Sequence, residues 1–272
     1  AAPRDSGGEG GASTYVLAAC FDGHRGPRAS LHAASALPAA VRDAIRAGEP
    51  SPLAAAWRAV AQSYGEGGEQ DGACASMALV RQDGLCEVVN CGDCRTVLCA
   101  RGEGGGEGGE EAGGDGEPST FVAFATRDHA ASDPAEVQRV DAAGGRVRCG
   151  SGGEMRVAVN TPAGKWQVAV ARALGGSEWR GGGISDAADV TTLRLDESHT
   201  FLVLASDGVW GVLDQLAEGS AARSRGVAWR VAAARAAGKS AGDIADGLVR
   251  CAAREGGTDN ASCIVLLLGS GT

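Results

Sequence analysis

Tyr15-Val-Leu-Ala-Ala-Cys-Phe-Asp22-Gly23-His24 is an apolar run that ends on an aspartate, a glycine and a histidine. The pattern recurs at Phe201-Leu-Val-Leu-Ala-Ser-Asp207-Gly208. It appears in reverse at Thr258-Asp259-Asn260, which leads into Ala261-Ser-Cys-Ile-Val-Leu-Leu-Leu268. Strands buried on both faces read as continuous apolar runs, so these three belong side by side in one core with their polar ends at one edge. That edge gathers three carboxylates. Like charges repel unless something positive stands between them, and oxygen ligands suit a hard divalent cation such as Mg²⁺ or Mn²⁺. Strand ends alone therefore point to a metal centre on Asp22, Asp207 and Asp259.

The chain has 272 residues, 44% hydrophobic and 22% charged, enough for one large core, and a single domain is expected. A net charge of −9 argues against a nucleic-acid partner, which asks for a basic stripe. No apolar run reaches the roughly eighteen residues that a membrane span needs, so no membrane insertion is expected. Ala1-Ala-Pro-Arg4-Asp5 has neither the basic start nor the apolar stretch of a secretory signal. It also lacks an initiating methionine, which leaves room for natural residues upstream. An intracellular, cytoplasmic location is expected, and a reducing one, because the nine cysteines sit mostly inside apolar runs, as Cys20, Cys74 and Cys263 do. Cys86, Cys91, Cys94 and Cys99 include a Cys-x-x-Cys step that zinc could use. The residues between them read as two strands flanking a Gly92-Asp93 turn, which would spread the thiols along a hairpin and disfavours zinc.

Further along, residues 28 to 48 are alanine-rich and helix-prone, with a break or kink expected at Pro38. Ser51-Pro52 opens a second helix with Leu53, Trp57, Val60 and Tyr64 on one face. A glycine-rich turn at 65 to 72 precedes a meander of short strands joined at Asp83-Gly84 and Gly92-Asp93. The segment 101–118 is glycine with six acidic residues and is expected to be a disordered loop between hairpin strands. Residues 1–14 are expected to be a flexible N-terminal segment, with one domain over 15–272. Asp133-Pro134-Ala-Glu136 reads as a capping box opening a helix that stops at Gly144-Gly145. Ser240 caps a last helix carrying Ile244, Leu248 and Cys251. Hairpins alternating with helix pairs disfavour a doubly wound parallel sheet and favour antiparallel sheets layered with helices, an α+β class. His129 is expected to make a structural hydrogen bond, Arg95 and Arg172 to hold loops or pair with carboxylates, and Trp57, Trp166, Trp179, Trp210 and Trp229 to serve packing.

The ordered motifs resemble the metal-dependent protein phosphatases, the type 2C serine/threonine family. They are Phe21-Asp-Gly-His24, Asp71-Gly-Ala-Cys-Ala75, Val89-Asn-Cys-Gly-Asp-Cys-Arg-Thr-Val-Leu98, Thr126-Arg-Asp-His129, Asp133 through Val147, Val170-Ala-Arg-Ala-Leu-Gly175, Phe201 through Trp210, and Thr258 through Val265. The resemblance runs from about residue 15 to the C-terminus. It implies a four-layer α-β-β-α sandwich, two central antiparallel sheets flanked by helices, with a two-metal site at one edge. It implies that Asp22 bridges two Mg²⁺ or Mn²⁺ ions, that the Gly23 carbonyl completes one shell, and that Asp207 and Asp259 hold the other ion. Asp93 matches a third, weaker metal position, and His24 a general acid. The implied activity is hydrolysis of phosphoserine and phosphothreonine in a phosphoprotein substrate by a metal-bridging hydroxide, carried out by a monomer. The alternative is an impaired pseudophosphatase acting as a regulatory or structural binding module; a small-molecule phosphatase on the same scaffold is a third reading.

This sequence departs from the family pattern at several points. The family's N-terminal strand, with a phosphate-gripping arginine and a Met-Glu-Asp motif, has no counterpart here. Gly211 stands where a second aspartate is usual, and Arg25 replaces a glycine beside His24. Ala171 and Gly176 replace a common serine and aspartate, and the flap region between 176 and 190 is short and glycine-rich.

Overall fold

The structure, a computed structural model, describes residues 14–65, 71–102, 120–150, 152–161, 164–175, 177–215 and 224–269. The expected N-terminal segment, most of the 65–72 turn and the acidic loop lie outside those residues, save for their margins. Along the chain the elements are β1 (Tyr15–His24), α1 (Arg28–Arg46), α2 (Pro52–Gly65), β2 (Gly72–Arg81), β3 (Leu85–Cys91), β4 (Arg95–Arg101), β5 (Thr120–Ala125), α3 (Pro134–Ala142), β6 (Val147–Cys149) and β7 (Met155–Thr161). There follow β8 (Gly164–Val168), β9 (Leu174–Gly175), α4 (Ser177–Gly181), β10 (Asp189–Arg194), β11 (His199–Ala205), α5 (Asp207–Leu213), α6 (Arg225–Ala236), α7 (Ala241–Arg254) and β12 (Cys263–Leu267).

Strand alternation builds the layers. Along β2, Ala73, Ala75, Met77 and Leu79 face α1 and α2, while Cys74 and Ala78 turn the other way. Along β11, Phe201, Val203 and Ala205 meet α5, α6 and α7, and Leu202 and Leu204 point back toward β2. The result is helices, sheet, sheet, helices. One sheet runs β1-β2-β3-β10 with β9 beside β2; the other runs β12-β11-β4-β5; β6-β7-β8 form a small third sheet. Pairings between these strands are antiparallel. Truncating a buried leucine such as Leu204 (0% exposed) would cost about 2–5 kcal/mol. Between the sheets, Ser76 Oγ and Thr96 Oγ1 meet at 2.7 Å, so two hydroxyls buried far from water satisfy each other.

Four expectations change. β3 and β4 do not form a hairpin: β3 lies in the first sheet and β4 in the second. Gly92, at φ 104° and with Cys74 Sγ where a β carbon would sit, turns the chain across the sandwich. Both strands are apolar on both faces, so their pattern fits either sheet equally. Cys86, Cys91, Cys94 and Cys99 are each buried along this crossover.

Pro38 does not break α1, which is assigned continuously from Arg28 to Arg46. Both Pro38 and Ala34, whose carbonyl loses its donor, are exposed, so water can take up that bond. The capping box is only half formed. Asp133 accepts from the Ala135 N–H at 2.8 Å, but the Asp133 N–H already donates to Ala130 O at 3.0 Å, and Glu136 turns to arginines instead. Finally, Trp166 and Trp229 are not packed away: they are 38% and 56% exposed.

The helix ends are otherwise as their sequences dictate. Ser240 Oγ accepts from the Asp243 N–H at 3.2 Å. The open N–H groups of α2 are met by a side chain from β3: Leu53 and Ala54 each donate to Glu87, both at 3.0 Å. No described helix is long and apolar enough to cross a membrane.

Candidate metal centre

In β1 the alternation that sends Ala18 and Cys20 between the sheets carries Asp22 to that same side at the strand's end. In the register Asp22 stands opposite Cys74 and His24 opposite Gly72. Asp207 opens α5 directly after β11. Asp259 lies in the loop between α7 and β12, its Oδ1 accepting from the Asn260 N–H at 2.8 Å. Asp93 sits in the β3–β4 crossover, its carboxyl bonded to the Cys74 thiol. Four aspartates distant in sequence thus meet at one end of the sandwich, from both sheets.

Their electrostatics record how close they are. Asp22 is pushed up to about 8, first by burial, then by a hydrogen bond to Asp207 and by the charges of Asp207, Asp93 and Asp259. Asp93 rises to about 7, by burial and then the charge of Asp207. Two carboxyls that share a hydrogen bond must hold a proton between them, which a cation would replace.

The fit to an ion can be judged from the donors. Asp207 Oδ1 is buried with no hydrogen-bond partner, an acceptor left open in a place water does not reach. As the side chains stand, no three His, Cys, Asp or Glu residues among those described converge closely enough to enclose an ion. The oxygen-rich donor set, the mutual repulsion and the orphaned acceptor suit a hard divalent cation.

Gly23 is exposed between Asp22 and His24. His24 lies partly buried, its ring 4.9 Å from that of Trp179 and its Nε2 without a hydrogen-bond partner. Burial drives its pKa down to about 4; the charge of Asp71 opposes the shift and that of Arg25 adds to it. At neutral pH this imidazole is neutral.

The surroundings add Asp71, to which the sequence reading gave no role of its own, and show what His129, Arg95 and Arg172 hold. Asp71 is 5% exposed; it accepts from the Arg28 N–H at 2.7 Å and from the Tyr64 hydroxyl, tying the start of α1 to α2 beside His24. His129, fully buried, clamps the crossover. Its N–H donates to Gly92 O at 2.9 Å and its Nδ1 accepts from the Gly92 N–H at 3.1 Å. Nδ1 as acceptor places the ring proton on Nε2, which lies 3.1 Å from Asp189 Oδ2 without the alignment of a hydrogen bond. Burial lowers the His129 pKa; the Asp189 contact opposes that and Arg172 adds to it.

Arg172 bonds Glu136 at 2.6 Å and Asp189 at 2.8 Å, and Arg139 bonds Glu136 at 2.8 Å. Burial would raise Glu136, but these guanidinium groups hold its carboxyl below the usual range. Arg95 pairs with Asp128 and Asp214, each at 2.6 Å. Both arginines are therefore carboxylate partners, as the sequence suggested.

Residues 2–261 match the family described as Protein phosphatase 2C, and the chain belongs to that family. It is 30% identical over 274 residues to "Probable protein phosphatase 2C 32" of Oryza sativa subsp. japonica, covering 95% of this chain and 59% of the rice protein. It is 28% identical over 228 residues to "Probable protein phosphatase 1N" of Homo sapiens, covering 78% of this chain and 46% of that one. The chain therefore spans about half the length of these curated relatives. Among solved structures it resembles serine-threonine phosphatase 2C from Toxoplasma gondii, with a TM-score of 0.74 at 17% identity over 94% of this chain and 85% of that one. A C. elegans sex-determining protein aligns with a TM-score of 0.67 at 20% identity, over 94% of this chain and 57% of that one. Likeness at such identities establishes the α+β sandwich, with two antiparallel sheets between helix layers.

Proposed function

We propose that this chain is a Mg²⁺- or Mn²⁺-dependent phosphatase that hydrolyses phosphoserine and phosphothreonine in proteins, with residues 15–272 as its single catalytic domain. The observation that carries the reading is the meeting of Asp22, Asp93, Asp207 and Asp259 at one edge, where burial and then the neighbouring carboxyls push Asp22 up to about 8. Asp22, with the Gly23 carbonyl, Asp207 and Asp259, would hold two ions, and Asp93 a weaker third. Bound there, the ions would activate water and neutralise phosphoryl charge.

The chain's own residues do the rest. Asp22, held protonated by burial and by its hydrogen bond to Asp207, would release that proton on binding a cation. The hydrogen bonds of His129 keep the Asp93 turn fixed. His24 is the proposed general acid for the departing serine or threonine oxygen; to serve so it would have to be protonated, a form that the charge of Asp71 favours and that burial and Arg25 oppose. Initial rates on p-nitrophenyl phosphate and on a phosphothreonine peptide, in millimolar Mn²⁺ or EDTA, beside Asp207→Asn, test the reading. Turnover that needs Mn²⁺ and is lost in the variant supports it; a folded wild type no faster than the variant refutes it.

One observation favours a second reading, a binding module on the same fold: Gly211 stands where the family usually carries a second aspartate. That module would lack Mn²⁺-dependent turnover in the same assay.

A further inference from the structure

Arg25 follows His24 directly and has φ 65°, the left-handed region, where a long side chain is unfavourable. Ser224 is the other non-glycine residue with positive φ among those described. The Arg25 guanidinium lies over the Trp166 ring, 3.6 Å from its centre, with Trp179 at 6.0 Å. Its Nη1 is buried and has no hydrogen-bond partner.

The other arginines around the site are engaged. Arg95, Arg139 and Arg172 each bond a carboxylate, whereas no ion pair joins Arg25 to a described carboxylate. A buried, unsatisfied cationic donor on a strained backbone needs a compensating partner. Arg25 lies three residues along the chain from Asp22 and its charge is felt at His24; an anion held at the acidic edge, with its charge offset by bound cations, would supply that partner. A planar guanidinium matches the oxygens of a phosphate group as a fork, which an ammonium does not.

We propose that Arg25 binds the phosphate of the substrate, and that Trp166 is a positioning residue whose ring holds the guanidinium toward it. The assignment rests on the phosphatase reading for its substrate, but the binding of phosphate can be measured without turnover.

Wild type, Arg25→Gly, Arg25→Lys and Trp166→Ala are titrated calorimetrically with inorganic phosphate in Mg²⁺ buffer, and the same proteins are assayed on p-nitrophenyl phosphate. Arg25→Gly suits the backbone at φ 65°, so its thermal midpoint is not lowered, while phosphate binding weakens about tenfold or more. Arg25→Lys recovers part of that loss, and Trp166→Ala shows a smaller loss in the same direction. In turnover, KM rises by more than kcat falls. The assignment is overturned if wild type binds no phosphate, or if Arg25→Gly binds it as well as wild type. Phosphate binding that depends on Arg25, in a wild type that hydrolyses no phosphoester with Mn²⁺, would sustain this assignment and sink the phosphatase reading.

Discussion

Gly208 lies flush against Asn260: a β carbon at Gly208 would overlap the Asn260 carbonyl oxygen and stand 3.0 Å from its carbon. This close approach brings the start of α5 against the loop before β12, and with it Asp207 beside Asp259. Gly208→Ala must push the two segments apart. A loss of about 1–3 kcal/mol in urea unfolding is expected, together with a weaker thermal shift on Mg²⁺ addition. Unchanged stability and an unchanged Mg²⁺ shift would show that this contact does not set the aspartate spacing.

The metal-free protein has a calculable pH response. Asp22 and Asp93 are raised from 3.8 to about 8 and about 7, so the folded state binds protons more tightly than the unfolded one. Their contribution to stability is complete below about pH 4 and is lost as pH rises through 7 and 8. In EDTA the unfolding midpoint should therefore contain a component that falls between about pH 4 and pH 8. The Mg²⁺-induced rise should grow over the same range, because the ion displaces protons. A Mg²⁺ shift that is flat with pH would count against carboxyl protons being displaced.

Asp22→Asn removes one charge from the repelling group. In EDTA at pH 8 it should stabilise the fold by about 1–3 kcal/mol, allowing for screening by the solvent that reaches this edge, while abolishing both the Mg²⁺ shift and Mn²⁺-dependent turnover. Stability gained as function is lost would mark strain that serves a site. A simple loss of stability would instead make Asp22 a structural residue.

His129→Leu leaves the Gly92 N–H without its acceptor inside the protein. The expected cost is about 1–3 kcal/mol, and amide exchange at Gly92 should accelerate beyond the global change. Equal protection in both proteins would mean that the crossover is held by other contacts.

Gly211 sits within α5 with open space around it. Gly211→Ala should stabilise the protein by about 1 kcal/mol through helix propensity alone, read from the denaturation midpoint.

The sequence disclosed the site's strand ends better than its surroundings. β1, β11 and β12 announce themselves because a run buried on both faces followed by a polar turn has few other readings, and three of the four aspartates lie at those ends. Asp93 was reachable only through family resemblance. Its place depends on the crossover at Gly92, and a strand buried on both faces carries no mark of which sheet it joins. Asp71 and Glu87 cap helices far from them in sequence, a pairing that no local pattern encodes. The small sheet has a period-two signal that the sequence reading did not use: Val157 and Val159, at 0% and 1% exposure, alternate with the less buried Arg156, Ala158 and Asn160 along Met155–Thr161. Trp166 on β8 looked like a core residue because composition alone says nothing about which side of a thin sheet faces solvent.

The acidic edge also orders events in time. Asp22 emerges from the ribosome early, yet its proposed partner Asp259 belongs to the loop before the last strand, and β12 pairs with β11. Until residues through Leu267 have been made and that strand has docked, a growing chain holds Asp22, Asp93 and Asp207 without Asp259 in place. If the four aspartates hold cations as proposed, that binding follows the docking of β12. A ribosome-bound nascent chain would complete the first sheet, whose β10 ends at Arg194, before the fourth aspartate of the edge had been made.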